Sequence, residues 1–244
     1  MKGFKRSLFS LVLLGYLLFL PVCSATVTNE TVIVLHGLAR TPKSMKRMDA
    51  SLKAAGYDVH VMRYPTRKKT VELLSADHLA PVVASCQARK PNKIHFVAHS
   101  LGTIVTRHYL SVTNLHNLGR IVMLGPPNRG SEVVDKLGHM TLYQWINGPA
   151  GSQLGVSTNS LPNTLPVPAA DIGVIAGTRS INWILSSMIP GKDDGKVSLE
   201  NAKIEGMKDF ATVPTSHPYI MKNRKVIELT IQFLQNGKFE GVTE

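Results

Sequence analysis

Residues 98–102 read Ala98-His99-Ser100-Leu101-Gly102 and directly follow the apolar run Ile94–Val97. A serine flanked by small residues therefore falls where a strand should turn into a helix, the pattern of a nucleophile elbow. A serine hydroxyl is a poor nucleophile at neutral pH. It has to be presented on a tight turn, beside a base, with backbone donors facing the oxyanion that develops. A-x-S-x-G alone also marks an ordinary strand-to-helix turn, so the weight comes from three further segments. Thr31–Leu38 is an apolar run ending in His36-Gly37-Leu38; Asp193-Asp194-Gly195-Lys196-Val197 reads as an acidic loop; Ser216-His217-Pro218 follows the apolar run Phe210–Val213. Serine, aspartate and histidine thus come in an order unlike that of the chymotrypsin or subtilisin folds.

Two of these roles stay open on residue type alone. Asp171, Asp193 and Asp194 all follow the fourth apolar run, although Asp171 opens the next one and reads as a turn residue. Among the other histidines, His60, His78, His95, His108, His116 and His139 show no metal-ligand spacing, and no zinc-type motif appears. Acyl transfer through a serine hydroxyl requires neither cofactor nor metal.

The elements that must carry these residues follow from the alternation of short apolar runs with longer helix-compatible stretches, which predicts parallel βαβ units. Strands are expected over Val32–Leu35, Val59–Met62, Ile94–Val97, Ile121–Leu124, Ile172–Ala176 and Phe210–Val213. Helices are expected over Ser44–Ala55, Val71–Ala88, Leu101–Val112, Ile181–Met188 and Tyr219–Gln235, with Gly56 stopping the first and Pro218 starting the last. No repeat or low-complexity linker divides the chain, so residues 26–244 read as one domain. Between the fourth and fifth strands, 132–170 carries Met140, Leu142, Tyr143, Trp145 and Ile146 and then a Gly/Ser/Asn/Pro-rich stretch. Helical spacing there fits equally an apolar wall for an acyl chain and a short amphipathic helix that completes the core.

In these residues the chain resembles the small bacterial α/β-hydrolases of the lipase/esterase type. The resemblance rests on Val34–Leu38, Ala98–Gly102, the Gly125-Pro126-Pro127-Asn128-Arg129-Gly130-Ser131 stretch, Asp194–Val197 and Ser216-His217, and it spans essentially all of 26–244. Ala98 stands where the usual motif has glycine, a variant also seen in Bacillus-type lipases. The resemblance implies an α/β-hydrolase fold: a mostly parallel sheet flanked by helices, with a small or minimal cap. It implies Ser100 as nucleophile, His217 as base and Asp194 as its orienting acid, Asp193 being the competing choice. The backbone N–H groups of Leu38 and Leu101 would form the oxyanion hole, and His36 and His99 would be positioning residues.

Composition bounds the setting. Lys2, Lys5 and Arg6, the apolar stretch Leu8–Leu20 and then Pro21-Val22-Cys23-Ser24-Ala25 match a secretory signal cut after Ala25. The apolar stretch is shorter than the roughly 20 residues of a spanning helix, so an uncleaved membrane anchor is the secondary reading. A lipoprotein signal at Cys23 is disfavoured by Val22. Cys86 is then the sole remaining cysteine, without a disulfide partner, and it reads as a buried, inert thiol. The chain carries a net charge of +12, of which the leader's three basic residues take three. That balance favours anionic surfaces, phospholipid headgroups of a membrane or acidic polysaccharide, and equally suits a solubility feature of an exported basic protein. Scattered basic residues without a recognised motif speak against nucleic acid. Oligomeric state leaves no signature in the sequence.

Taken together, the sequence predicts an exported (periplasmic or secreted) serine hydrolase that cleaves carboxylic, lipid-like esters through an acyl-enzyme on Ser100. The alternatives are an acyltransferase or thioesterase using the same three residues, and a non-catalytic binding protein that keeps the fold.

Overall fold

The computed structural model describes residues 28–138 and 140–241. The leader read over 1–25, with Cys23, and His139 lie outside the described residues, as do the side chains of Leu142 and Tyr143. Six strands form one sheet: β1 (Glu30–Leu35), β2 (Asp58–Val61), β3 (Lys93–His99), β4 (Leu118–Leu124), β5 (Ile172–Gly177) and β6 (Asp209–Val213). All are parallel, in the order β2-β1-β3-β4-β5-β6. Each of the six expected strands is present, with ends shifted by a few residues.

Parallel neighbours require crossovers, and the helices that make them cover both faces of the sheet. Successive side chains point to opposite faces. Val32 and Val34 of β1 therefore pack with Met48 and Leu52 of α1 (Lys46–Ala54) and with Val226, Leu229 and Phe233 of the C-terminal helix. Ile33 and Leu35 turn the other way, to Leu74, Val83 and Ile104. Those three sit on α2 (Val71–Leu74), α3 (Ala80–Gln87) and α4 (Leu101–Val112). Phe233 is wholly buried, and a Cβ at Gly173 of β5 would meet its ring at 2.7 Å. Burying that ring contributes roughly 1.5–3 kcal/mol. Cys86 lies buried on α3 as a free thiol, its pKa raised by burial.

Three expected helices differ. Val71–Ala88 is interrupted by a π-turn over Ser75–Leu79, because Pro81 has no amide to continue the α-helical ladder. Ile181–Met188 shrinks to α8 (Trp183–Ser186). The last helix, α10 (Arg224–Asn236), begins not at Pro218 but after Asn223, whose side chain accepts from the Val226 amide at 3.3 Å. An asparagine cap outcompetes the upstream proline, leaving Ser216–Pro218 free to form the turn that carries His217. Within 132–170 lie α5 (Glu132–Leu137), α6 (Thr141–Ser152) and α7 (Leu161–Thr164), and α9 (Leu199–Ala202) precedes β6. No helix among the described residues is long and apolar enough to cross a membrane.

After β1 the chain moves to β2 on one side and then to β3 on the other, so the strand order reverses between β1 and β3. In open α/β sheets, ligands bind outside the carboxyl ends of the strands at such a switch point. His36-Gly37-Leu38 leaves β1 there, and Ser100 leaves β3.

Candidate active site

Ser100 sits between β3 and α4 with φ +53° and ψ −121°. A non-glycine residue held there costs about 1–3 kcal/mol and persists only when its surroundings overdetermine it. They do: the Ser100 amide donates to the Leu124 carbonyl at 3.0 Å, and its own carbonyl accepts from the Thr103 amide and hydroxyl at 2.9 and 2.7 Å. The helix can crowd the strand because residue 102 has no side chain. A Cβ on Gly102 would lie 2.8 Å from that of Leu35. Leu101 opens α4, so its N–H is one of those a helix start leaves without an intrahelical partner.

The fold brings Ser100, Asp194 and His217 together. The Ser100 hydroxyl donates to His217 Nε2 at 2.9 Å, and His217 Nδ1–H donates to Asp194 Oδ2 at 2.7 Å. The carboxylate facing Nδ1 sets this tautomer. Asp194 Oδ1 accepts from the Lys196 and Val197 amides, each at 3.0 Å, and the His217 amide donates to the Asp194 carbonyl at 2.9 Å. All three residues are buried. Asp193, the competing acid, faces away: its Oδ1 accepts from the Ser186 hydroxyl and the Gly195 amide, both at 2.6 Å. Asp171 lies on the surface, paired with Lys208 at 2.7 Å.

Neighbouring groups brace this line. His99 Nε2–H donates to the His217 carbonyl at 3.1 Å, and its ring centroid lies 4.9 Å from that of His217. Burial first, and then the nearby His217, hold the His99 pKa well below the ordinary histidine value, so the ring is neutral. His36 stacks on Tyr64 at 4.4 Å, and the Tyr64 hydroxyl bonds the His36 carbonyl, shaping the loop after β1. Neither His36 nor His99 bonds Ser100. The Gly125–Ser131 stretch, which the sequence marks without assigning, ties the loops together. Ser131 Oγ donates to the Lys196 carbonyl at 2.7 Å, and Arg107 of α4 donates to the carbonyls of Asn128 and Leu165 at 3.1 and 2.6 Å. Gly125 has φ +52°, and a Cβ there would come within 3.0 Å of Asp194 Oδ2 and 3.2 Å of His217 Nδ1.

Ser100 and His217 open into a cavity of about 390 Å³. Its walls include Leu38 and Pro127 on the sheet side, Val134, Ile146 and Leu154 from 132–170, and Ile181 and Leu185 near α8. Val134, Ala150 and Leu154 also join the core, so the segment both walls this cavity and completes the core. A hydroxyl aligned with an imidazole that a buried carboxylate orients, at the end of an apolar cavity, is competent for nucleophilic attack on an acyl carbonyl. Residues that sequence reasoning passed over also line the cavity: Ile181, Leu185, Arg40 and Lys196. Lys196 stood inside the Asp-Gly-Lys-Val motif itself.

Fold and site define an α/β-hydrolase of the lipase/esterase and thioesterase kind. The fold is similar to that of the mature lipase BlEst2 of Bacillus licheniformis (TM-score 0.70, 19% identity, 86% of this chain and 93% of that one). Similar too are phospholipase PlaB of Legionella pneumophila (0.60, 14%, 85% and 63%) and lipase B of Aspergillus fumigatus (0.63, 14%, 85% and 53%). The chain belongs to the palmitoyl protein thioesterase family, whose model matches residues 31–162. That match takes in Ser100 and ends before Asp194 and His217. No curated protein sequence matches the chain.

Proposed function

We propose that the protein is an exported serine hydrolase that cleaves lipid-like carboxylic esters through an acyl-enzyme on Ser100. The observation that carries this is the continuous line from Ser100 Oγ through His217 to Asp194, with links of 2.9 and 2.7 Å, at the end of an apolar cavity. In the proposed reaction His217 Nε2 takes the hydroxyl proton as Ser100 attacks the acyl carbonyl. Asp194 stays ionised and stabilises the imidazolium. The tetrahedral oxyanion is received by the Leu38 and Leu101 amides. His217 returns the proton to the departing alcohol, and water, activated by the same imidazole, releases the acid. Residues 26–244 are the acting domain in this reading, and the leader 1–25 directs export; retention of the leader as an anchor is the alternative.

An anionic membrane surface as partner is supported by the position of both tryptophans. Trp145 is 79% and Trp183 80% exposed, each beside segments that wall the cavity, and tryptophan favours a lipid–water boundary. The test of the reading is labelling of the purified protein by a fluorophosphonate probe together with release of acid from esters of graded chain length. Absence of labelling and of turnover overturns it. A thioesterase reading has a specific support of its own in the family. Turnover of one acyl group presented as an oxygen ester and as a thioester separates the two.

A further inference from the structure

Two basic side chains line the cavity without a counter-ion. Arg40 stands two residues beyond Leu38 on the loop after β1 and is exposed, and Lys196 stands two residues beyond Asp194 on the acid loop and is half-buried; both line the cavity that Ser100 opens into. Among the described residues neither side-chain cation forms a hydrogen bond or ion pair with a protein group. Asp194, the carboxylate lining the same cavity, is already committed to His217 and two amides. Lys196 is largely desolvated, and that burial lowers its pKa, with Asp194 opposing the shift and Arg40 adding to it. A partly buried cation without a partner is unfavourable unless something supplies the missing anion. Elsewhere on this chain lysines facing carboxylates are paired, as Lys69 with Asp77 and Lys208 with Asp171 at 2.7 Å each.

We propose that Arg40 and Lys196 form an anion subsite and that the substrate is an ester bearing a carboxylate or phosphate close to the scissile acyl group. The proposal rests on Ser100 being the reacting group only for where the ester lies. The subsite itself is a property of the binding cavity and can be read without turnover. Arg40 offers a planar fork suited to carboxylate or phosphate, and Lys196 a point charge that gains a partner when the anion enters.

The test uses matched pairs that differ in one anionic group. Hexanoylglycerol phosphate against hexanoylglycerol places the charge on the alcohol side, and the p-nitrophenyl monoester of succinate against p-nitrophenyl butyrate places it on the acyl side. Binding is measured by calorimetry on Ser100→Ala, so that a missing serine mechanism cannot hide the result. Selectivity in kcat/KM is measured on the unaltered protein. The expected result is a preference of about tenfold or more for the charged member of at least one pair, the order of a charge-assisted hydrogen bond. The preference should shrink with added salt and vanish in R40Q/K196M. If that double variant does not fold, K196M alone and the salt dependence carry the test. Pairs bound and turned over within twofold of each other, or a preference that survives loss of the cations and high salt, overturn the proposal.

Discussion

The two sides of the cavity are built on different principles. On the sheet side, Ser100, His99, Asp194 and His217 are all at least nine-tenths buried, and each is held by hydrogen bonds from a different loop. The opposite wall comes from 132–170 and from the residues around α8, where Trp145, Ile181 and Trp183 project with 67–80% exposure. A reacting line must be held to a fraction of an ångström, and that takes a packed scaffold. A wall that receives an apolar chain needs area rather than exact placement. On the proposed reading, chemistry sits where the fold is overdetermined, and substrate contact where it is not.

The comparison can be broken hardest at its centre. Ser100→Ala should lower ester turnover on the order of 10⁴-fold or more while the thermal midpoint changes little, because binding and oxyanion contacts alone remain. Turnover that survives would detach the chemistry from the buried side altogether. Next in size, Asp194→Asn should cost roughly 10³–10⁴-fold in kcat by favouring the wrong tautomer of His217. Asp193→Asn keeps an amide oxygen to accept from the Ser186 hydroxyl and the Gly195 amide and loses only the charge on those bonds. It should therefore cost no more than about 1 kcal/mol of stability, with far less effect on kcat. Steady-state rates and denaturation of the two variants, run side by side, check the ranking.

Gly125→Ala should destabilise by about 1–2 kcal/mol, since an L-residue at φ +52° is strained and the added carbon crowds Asp194 and His217. Its kcat should fall more than its KM rises. The pH response belongs to the same side. His99 and His36 are held neutral by burial, so below the unfolded histidine value of ~6.5 the unfolded chain takes up protons that the folded chain refuses. Stability is therefore full above that value and declines as pH falls toward the lowered folded pKa, by up to about 1.4 kcal/mol per pH unit for each such ring. Denaturant titrations across acidic pH should show this slope, and His99→Gln should flatten it. Smallest in stability are Trp145→Ala and Trp183→Ala, expected within about 0.5 kcal/mol of the parent. Both should weaken binding to anionic vesicles, followed by cosedimentation. A large loss of stability there would mean that the exposed wall is as structural as the buried side.

Much of the scaffold was legible before folding because it is locally encoded. Apolar runs of four to six residues, alternating with helix-compatible segments, are enough to place all six parallel strands. Ala98–Gly102 is legible for the same reason, since its small residues report a close helix–strand contact that Gly102 then makes with Leu35. Where reading failed, a competing local preference decided the outcome. Pro81 opens a π-turn in a continuous apolar pattern, and Asn223 wins the start of α10 from Pro218.

The residue types and their order along the chain already pointed to a serine, an acidic residue and a histidine carried by a parallel sheet. Which aspartate meets the histidine could not be decided at that level, because Asp193 and Asp194 are chemically identical neighbours. The turn closed by Asp193 on the Gly195 amide aims one carboxylate at the loop and the other at His217. Nor does spacing reveal that Arg40 and Lys196 face one cavity, or that Ser100 meets a ring 117 positions away. Those encounters depend on loops from β1, β3, β5 and β6 converging at one end of the sheet. Strand order sets that convergence, and strand order is a property of long-range packing rather than of any local segment.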